Sequence, residues 1–555
     1  MKEQSCTTAY NKAEDRIVNF RPIAFFAVCL CVGIAFAILS AVYAFPLWYA
    51  IFGLPVLGLP FLFCQSKRRA VILLMGVAFL LSAFALGVFT TNKQLRHFQD
   101  VRTYTDASCA VVGEVKQTSE STYSFCIVLR DVTVDGKAEK GNLIAYLPLA
   151  FCQSVRVGDT VVLNGNVTTQ ADIVGEYGLN AYAIGDKINL SMRAEKCAVV
   201  DSRFAPFARV RARIKQVINA GMDTANASVT AALLLGDTTA IEYGLLDNIR
   251  KGGIAHVFAV SGLHIGALFA FLLACIEKTP LYKLSKSVRF AFVAVPLIFY
   301  GGICLFTASV IRSIVMCLVG YGTFLFGLKK DFLETLGLSA IVVLLLSPVS
   351  LLEAGFALSF GACLGIALLS RPLERTMYAF TDKIYAAVTG KEKTKADVLE
   401  ALNHPLSIKG RVRRACISYL SMCIGASVAT APVSVFYFGY VSGWTLLCNL
   451  LFVPLIVGIF SALLICVWLG CALPLSVSSI LLYAPNIFWS LLLIVFQTAD
   501  FSSFVVQGVS VGYPALCCYF TGLAFCSDKV QIKRKFKCVW AIACAAAFVL
   551  CLCAG

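Results

Sequence analysis

The chain has 555 residues, of which 59% are hydrophobic and only 14% charged, and its mean hydropathy is +0.81. Those values exclude a soluble globular domain. The 47 Lys+Arg against 31 Asp+Glu, a formal +16, say little about a nucleic-acid partner, because the cytoplasmic loops of membrane proteins carry such an excess.

Runs of about 20 apolar residues recur, each long enough to cross a bilayer. Four basic residues, Lys2, Lys12, Arg16 and Arg21, precede the first run at 22–45. That run is too long for a signal-peptide core and no clear small-residue cleavage site follows, so an uncleaved membrane helix is expected. A Pro-interrupted span at 46–64, the basic Lys67-Arg68-Arg69 and a third span at 71–88 complete an N-terminal group over 1–92. Basic loops stay in the cytoplasm, which places 1–21 and 65–70 inside and the following segment outside.

That segment, 93–200, reads as short β-rich runs separated by Asp, Gly and Asn turns, among them Val134-Asp135-Gly136-Lys137 and Gly158-Asp159. About five strands in roughly 100 residues predict a small extracytoplasmic β-barrel, OB-like, with a sandwich as the alternative. Most of the 24 cysteines lie in apolar runs, where a thiol acts as a small apolar side chain. Cys109, Cys126, Cys152 and Cys197 lie in the β segment, and an oxidising compartment predicts one or two disulfides among them, with three pairings open.

Residues 201–253 are expected to form amphipathic helices in the interface, because Arg203, Arg209, Arg211, Arg213 and Lys215 alternate with Phe204, Phe207, Val210 and Ile214. A nucleic-acid contact is the alternative for those basic residues. The remainder, 254–526, predicts a core of membrane helices with a polar cytoplasmic insert at 371–414, and 527–555 a basic loop and a final span. Alternate crossings put the later basic loops inside, leaving 203–215 and Arg250-Lys251 outside. The architecture expected is a polytopic α-helical membrane protein carrying one small β domain.

Polar residues inside apolar runs mark the candidate site. His256, Ser261, Gly262, His264 and Gly266 fall within the run 254–275. On one continuous helix the two imidazoles stand about 80° apart, while Ser261 and His264 share a side. Polar groups in hydrocarbon are costly, so such a helix turns them toward protein or water. The bland reading is hydrogen bonding to a neighbouring helix and close packing through Gly262 and Gly266. Arg312, about one turn into an apolar helix, demands a partner, a wet cavity, or a snorkelling path. Glu353 is either a cap at a helix start or the partner of Arg312.

Leu235-Gly236-Asp237, the stretch from His256 to Gly266, Ser309-Val310-Ile311-Arg312-Ser313, Gly355-Phe356-Ala357-Leu358-Ser359-Phe360, Ala431-Pro432 with Phe438-Gly439, and Asn449 with Pro454 occur in consistent order over about 230–460. Together they resemble the ComEC competence family, whose members conduct single-stranded DNA across the bacterial inner membrane during natural transformation. The resemblance implies a DNA path lined by Asp237, His256, Ser261, Gly262, His264, Arg312, Glu353, Phe356, Ser359 and Asn449. It implies single-stranded DNA, membrane lipid, an external DNA-receptor protein and a cytoplasmic ATP-driven translocase as partners, with no cofactor. Glu353 and Ala357 stand where the family pattern has aspartate and glutamine, and an Asn-Pro-Gly-like stretch is represented only by Val174 to Gly178. Many members end in a metallo-β-lactamase-like domain. This chain stops at Gly555 without a His-x-His-x-Asp-His run, so no metal ligand, catalytic residue or nuclease activity is expected. The N-terminus is expected in the cytoplasm, and the β domain and C-terminus outside.

Two other functions are open to the same residues. A secondary transporter for a small polar or anionic solute also uses broken helices with polar groups at mid-membrane, although no internal repeat is visible. A membrane hydrolase built on Ser261 and His264 lacks the Gly-x-Ser-x-Gly context and a nameable acid.

Overall fold

The computed structural model describes residues 21–43 and 67–526, apart from 121–124, 152–154, 171, 176–177, 203–204, 259, 329–330, 390–407 and 509–510, with four isolated residues between 540 and 546. The expected spans at 46–64 and 538–553 lie outside the described residues or almost wholly so. Among the described residues eight helices are long and apolar enough to cross a membrane, and the chain is a polytopic helical membrane protein.

Helix α1 (Pro22–Tyr43) and helix α2 (Lys67–Gln99) pack through glycine. A Cβ on Gly33 would lie 2.2 Å from the Phe84 carbonyl oxygen, and one on Gly87 would lie 2.5 Å from that of Leu30. Only glycine permits that approach, the usual device where lipid supplies no hydrophobic drive between helices. The third span is longer than its apolar core suggests: α2 runs to Gln99 and delivers the chain to strand β1 (Ala107–Glu120).

The strands β2 (Phe125–Val134), β3 (Lys137–Ala138), β4 (Asn142–Leu147) and β5 (Asp159–Thr169) follow, then the short pair β6 (Val174–Gly175) and β7 (Gly178–Leu179), helix α3 (Ala181–Asp186) and strand β8 (Ile188–Ser202). The order β1-β5-β8-β4-β2-β3 carries a further β1–β2 pairing, so the ladder from β1 through β5, β8, β4 and β2 returns to β1. Only β4–β8 in that circuit is parallel. Alternate residues such as Ile127, Leu129, Leu143, Ala145, Val161 and Leu163 are fully buried and form one core. Asp135 (φ 48°) and Gly136 (φ 77°) make the β2–β3 turn, the left-handed pair a two-residue hairpin needs.

The expected disulfides are not formed by Cys109, Cys126 and Cys197, which are free thiols, and Cys152 lies outside the described residues. Cys109 pairs with Gly165 and Cys197 with Leu163, on the two strands flanking β5. Two strand spacings put them about 9–10 Å apart, beyond disulfide reach.

After β8 come α4 (Pro206–Gly221), α5 (Thr224–Leu235), α6 (Tyr243–Lys251), the single turn α7 (Ala255–Phe258) and α8 (Gly262–Lys278). Then α9 (Lys286–Ile303), α10 (Ala308–Leu325) and α11 (Phe332–Leu346) zigzag. Asp331 caps α11 through Leu333 N (2.9 Å) and pairs with Arg21 (2.8 Å), while the Glu334 carboxylate accepts from Ile23 N (2.9 Å) and Ala24 N (3.1 Å). Two carboxylates therefore fix the starts of α1 and α11 to one another, at the positive ends of both helices.

Helices α12 (Ala354–Thr389) and α13 (Ile408–Phe438) absorb most of the expected polar insert. Residues 371–389 continue the helix through Pro372, and Arg413 reaches back to Asp382 (2.8 Å) and stacks on Tyr378. Charge ends the span but not the helix, since Glu, Arg, Met and Ala are good helix formers. Within the apolar half, a Cβ on Gly365 would meet the Gly425 carbonyl oxygen at 2.3 Å and Ala429 Cβ at 2.5 Å. Gly365→Leu is therefore expected to force α12 and α13 apart at about 1–3 kcal/mol, read as a lower melting temperature of the detergent-solubilised protein.

Strand β9 (Tyr440–Ser442) precedes α14 (Thr445–Ala472) and α15 (Leu475–Thr498), and β10 (Val505–Gln507) returns to pair with β9 before α16 (Tyr513–Cys526). Helix α4 lies against the turn between α14 and α15, where Arg213 donates to the carbonyls of Cys471 and Leu473. Asn248 of α6 instead donates to Phe496 O, near the far end of α15 (3.0 Å). The two basic groups expected on one side, of which 209–215 and Arg250-Lys251 are described, thus stand toward opposite ends of a 24-residue helix, about 36 Å long.

Candidate functional site

The run 254–275 is not one helix. It breaks after Phe258 and restarts at Gly262, with Ser261 as the N-cap of α8 in an extended conformation. Ser261 Oγ accepts from Leu263 N (3.3 Å), and His264 Nδ1 accepts from Ser261 N (2.9 Å). This is a capping box with histidine in place of the usual Glu or Gln. The expectation that Ser261 and His264 project together from a helix interior is corrected accordingly: both are spent on the helix end.

His264 is 0% exposed, its ring 4.5 Å from that of Phe460, and with Nδ1 accepting, the proton sits on Nε2, which finds no partner among the described residues. His264 therefore does not face open space. His256 does: it is exposed while Ile254, Val257 and Phe258 around it are fully buried, and it stands within electrostatic range of His264.

Arg312 sits on α10 beside the break and is 6% exposed, so it does not snorkel. Its Nε donates to Ser359 Oγ (2.9 Å), and its Nη1 reaches Cys363 Sγ (2.9 Å) and Met316 Sδ (3.5 Å). The guanidinium lies 5.8 Å from the centroid of Phe360, which stacks on Phe356 at 4.2 Å. Ser359 also meets Ser309 (3.0 Å). Among the described residues no carboxylate pairs with Arg312. Gly262 closes the site, since a Cβ there would lie 2.8 Å from Arg312 Nη2 and 3.0 Å from Ser313 Oγ, whereas one on Gly266 would meet nothing.

The structure therefore brings Gly262, Arg312, Phe356 and Ser359 together beside the helix break and leaves others apart. Glu353 is not the partner of Arg312. It accepts from Ser350 Oγ (3.1 Å) at the start of α12, and Gly185 of α3 lies against it, so it marks the contact between membrane core and β domain. Asn449 carries a buried Oδ1 without a partner among the described residues, and its carbonyl accepts from Tyr419 (2.9 Å). Asp237 binds Lys215 (2.5 Å) and Thr239 Oγ1 (2.6 Å). Cys363, Met316 and Phe460 were missed by sequence reasoning, although Ser359 with Cys363 and Arg312 with Met316 have the i,i+4 spacing that puts two residues on one helix face. Among the described residues no group of three or more His, Cys, Asp or Glu could hold a metal.

Burial alone would raise the Asp237 carboxyl, but the charge and hydrogen bond of Lys215, with Thr239, outweigh it and hold the pKa below the usual carboxylate range. A depressed folded-state pKa contributes stability that is complete above the unfolded value of about 4 and disappears as pH falls through the folded one. Asp237→Asn is thus expected to be less stable than wild type at neutral pH, with the difference shrinking below about pH 4; melting curves against pH check it.

The basic residues of α4 have a definite task. Arg211 Nη1 donates to the carbonyls of Leu235 (3.0 Å) and Ile303 (2.5 Å), the ends of α5 and α9, as Arg213 does for the end of α14. Cations at helix C-termini satisfy orphan carbonyls and oppose the negative dipole end.

A family model described as Competence protein matches residues 233–531. ComE operon protein 3 of Bacillus subtilis (strain 168) is 26% identical over 243 residues, 43% of this chain. The match spans 30% of that relative's length. No solved structure matches the chain.

Proposed function

Because the chain belongs to the ComEC family of competence proteins, the match covering more than half its length, we propose that it is the inner-membrane channel through which single-stranded DNA enters the cell during natural transformation. The observation that carries this reading is Arg312, a buried guanidinium without a carboxylate partner among the described residues, beside a helix that breaks and restarts. A polyanion crossing hydrocarbon needs cationic groups for its phosphates and flat apolar surfaces for its bases. Arg312 supplies the first and the stacked pair Phe356–Phe360 the second, while the exposed His256 adds a polar group near the break. Gly262 and Ser359 shape the path, and Ser261 with His264 holds the helix break open as positioning residues. Asp237, Glu353 and Asn449 act outside this cluster.

The β domain is the external receiving module in this reading. Its circuit of five strands with a single parallel pairing supports an OB-like barrel, a fold that binds single strands through basic and aromatic side chains. Tyr146 and Tyr182 are exposed there, and Lys116 lies close by, bound to Asp186. The N-terminus faces the cytoplasm and the β domain the outside, following the positive-inside rule. An external DNA-receptor protein and a cytoplasmic ATP-driven translocase complete the route, and the chain itself acts as a channel, not an enzyme. Deletion of the gene should abolish transformation by added DNA; unchanged transformant numbers would reject the proposal. The α7–α8 break also suits a transporter for a small anion, which that same deletion strain would reveal by normal transformation with lost solute uptake.

A further inference from the structure

The polar contacts of Arg312 use two of its three nitrogens. Nε is taken by Ser359, and Nη1 by Cys363 and Met316. Among the described residues Nη2 has no hydrogen bond, and it is turned toward Gly262 at the first turn of α8, beside Ser313 of α10. Placing a cation against the positive end of a helix is electrostatically unfavourable, and more so where water is scarce. Ser261 and Thr307, which start α8 and α10, are both uncharged. Two positive elements therefore share one space without an anion, and the Arg312 side chain that brings them together is more than nine-tenths buried.

We infer that Arg312 Nη2 and the positive end of α8 at Gly262 form a binding site for one phosphodiester oxyanion of the passing strand, bordered by Ser313, whose hydroxyl is already given to Ser309 O (2.7 Å). This rests on the channel reading and makes it more specific: the strand is held at this level by its backbone charge, one phosphate at a time, and base identity plays no part. Gly262 is required because any Cβ would occupy the space into which Nη2 points.

The test titrates the purified full chain in detergent with a fluorescent oligothymidylate over a range of KCl concentrations. Each phosphate contact contributes about 0.7 to the slope of log K against log salt for a single strand. Arg312→Gln should lower the slope by about that amount, and Arg312→Lys, which keeps the charge, should not. Gly262→Ala, which changes no charge, should weaken binding and flatten the slope as Arg312→Gln does, which covers a failure of the glutamine variant to fold. An unchanged slope in a folded Arg312→Gln protein overturns the site while leaving the channel reading intact. A wild-type chain that binds no strand overturns both. Loss confined to phosphatidylglycerol binding in nanodiscs, with strand binding intact, assigns the site to a lipid headgroup and overturns its assignment to the strand.

Discussion

Arg312→Ala is expected to stop uptake of labelled DNA while the protein remains folded and in the membrane. A guanidinium in a membrane helix costs about 2.5–3.5 kcal/mol to insert, and hydrogen bonds to Ser359 and Cys363 recover only part of that, since a hydroxyl and a thiol are not counter-ions. Removing it should leave the melting temperature unchanged or higher. Its contribution to a strand phosphate about 4 Å away is of order 4 kcal/mol at an effective dielectric constant near 20, or about 10³-fold in rate. Arg312→Lys should fall between, keeping the charge and losing the fork that grips Ser359 and Cys363 together. Wild-type uptake by an Arg312→Ala strain with normal protein levels would remove Arg312 from the path. A strain with little protein would show that the residue holds the fold together, against the expectation from its missing counter-ion.

Much of this arrangement was legible before any coordinates. Span positions follow from apolar length and the turn at Asp135-Gly136 from the left-handed backbone it requires, whereas the sequence left Arg312 open between a partner, a wet cavity and a snorkelling path, and its burial decides against the last. The break at α8 was hidden because Val260, Gly262 and Leu263 prolong an apolar helical pattern, and a capping box with histidine at its third position does not carry the familiar Glu or Gln. The continuation of α12 past residue 371 was hidden by its charges, which end a bilayer span without ending a helix. Strand β8 carries the alternation Ile188, Leu190, Met192 and Ala194 in its first half, but its second half, from Glu195 to Ser202, is largely exposed, so apolar alternation does not mark its full length.

Arg211 shows where sequence reasoning had no purchase at all. The residues it joins, Leu235 and Ile303, lie 24 and 92 positions away, and nothing local distinguishes it from Arg209 or Arg213. Basic residues interleaved with apolar ones read as an interfacial helix, or as a phosphate contact, whereas here they close helix ends. Because α5 and α9 end on the same guanidinium, Arg211→Ala leaves two carbonyls without a donor in a partly buried setting. Each charge-assisted bond is worth about 1.5–3 kcal/mol, so a loss of about 3–6 kcal/mol is expected. Arg213→Ala should lose less, because one of its bonds is long (3.4 Å) and the other exposed. Arg211→Lys should recover part of the loss, since one ammonium carries enough donors for both carbonyls but lacks the planar fork. Thermal unfolding of the three variants in one detergent ranks them. If Arg211→Ala melts with the wild type while Arg213→Ala does not, the ends of α5 and α9 are held by the buried bond from the Tyr300 hydroxyl to Leu234 O (2.8 Å) and the packing around it, and the bonds to Arg211 are incidental.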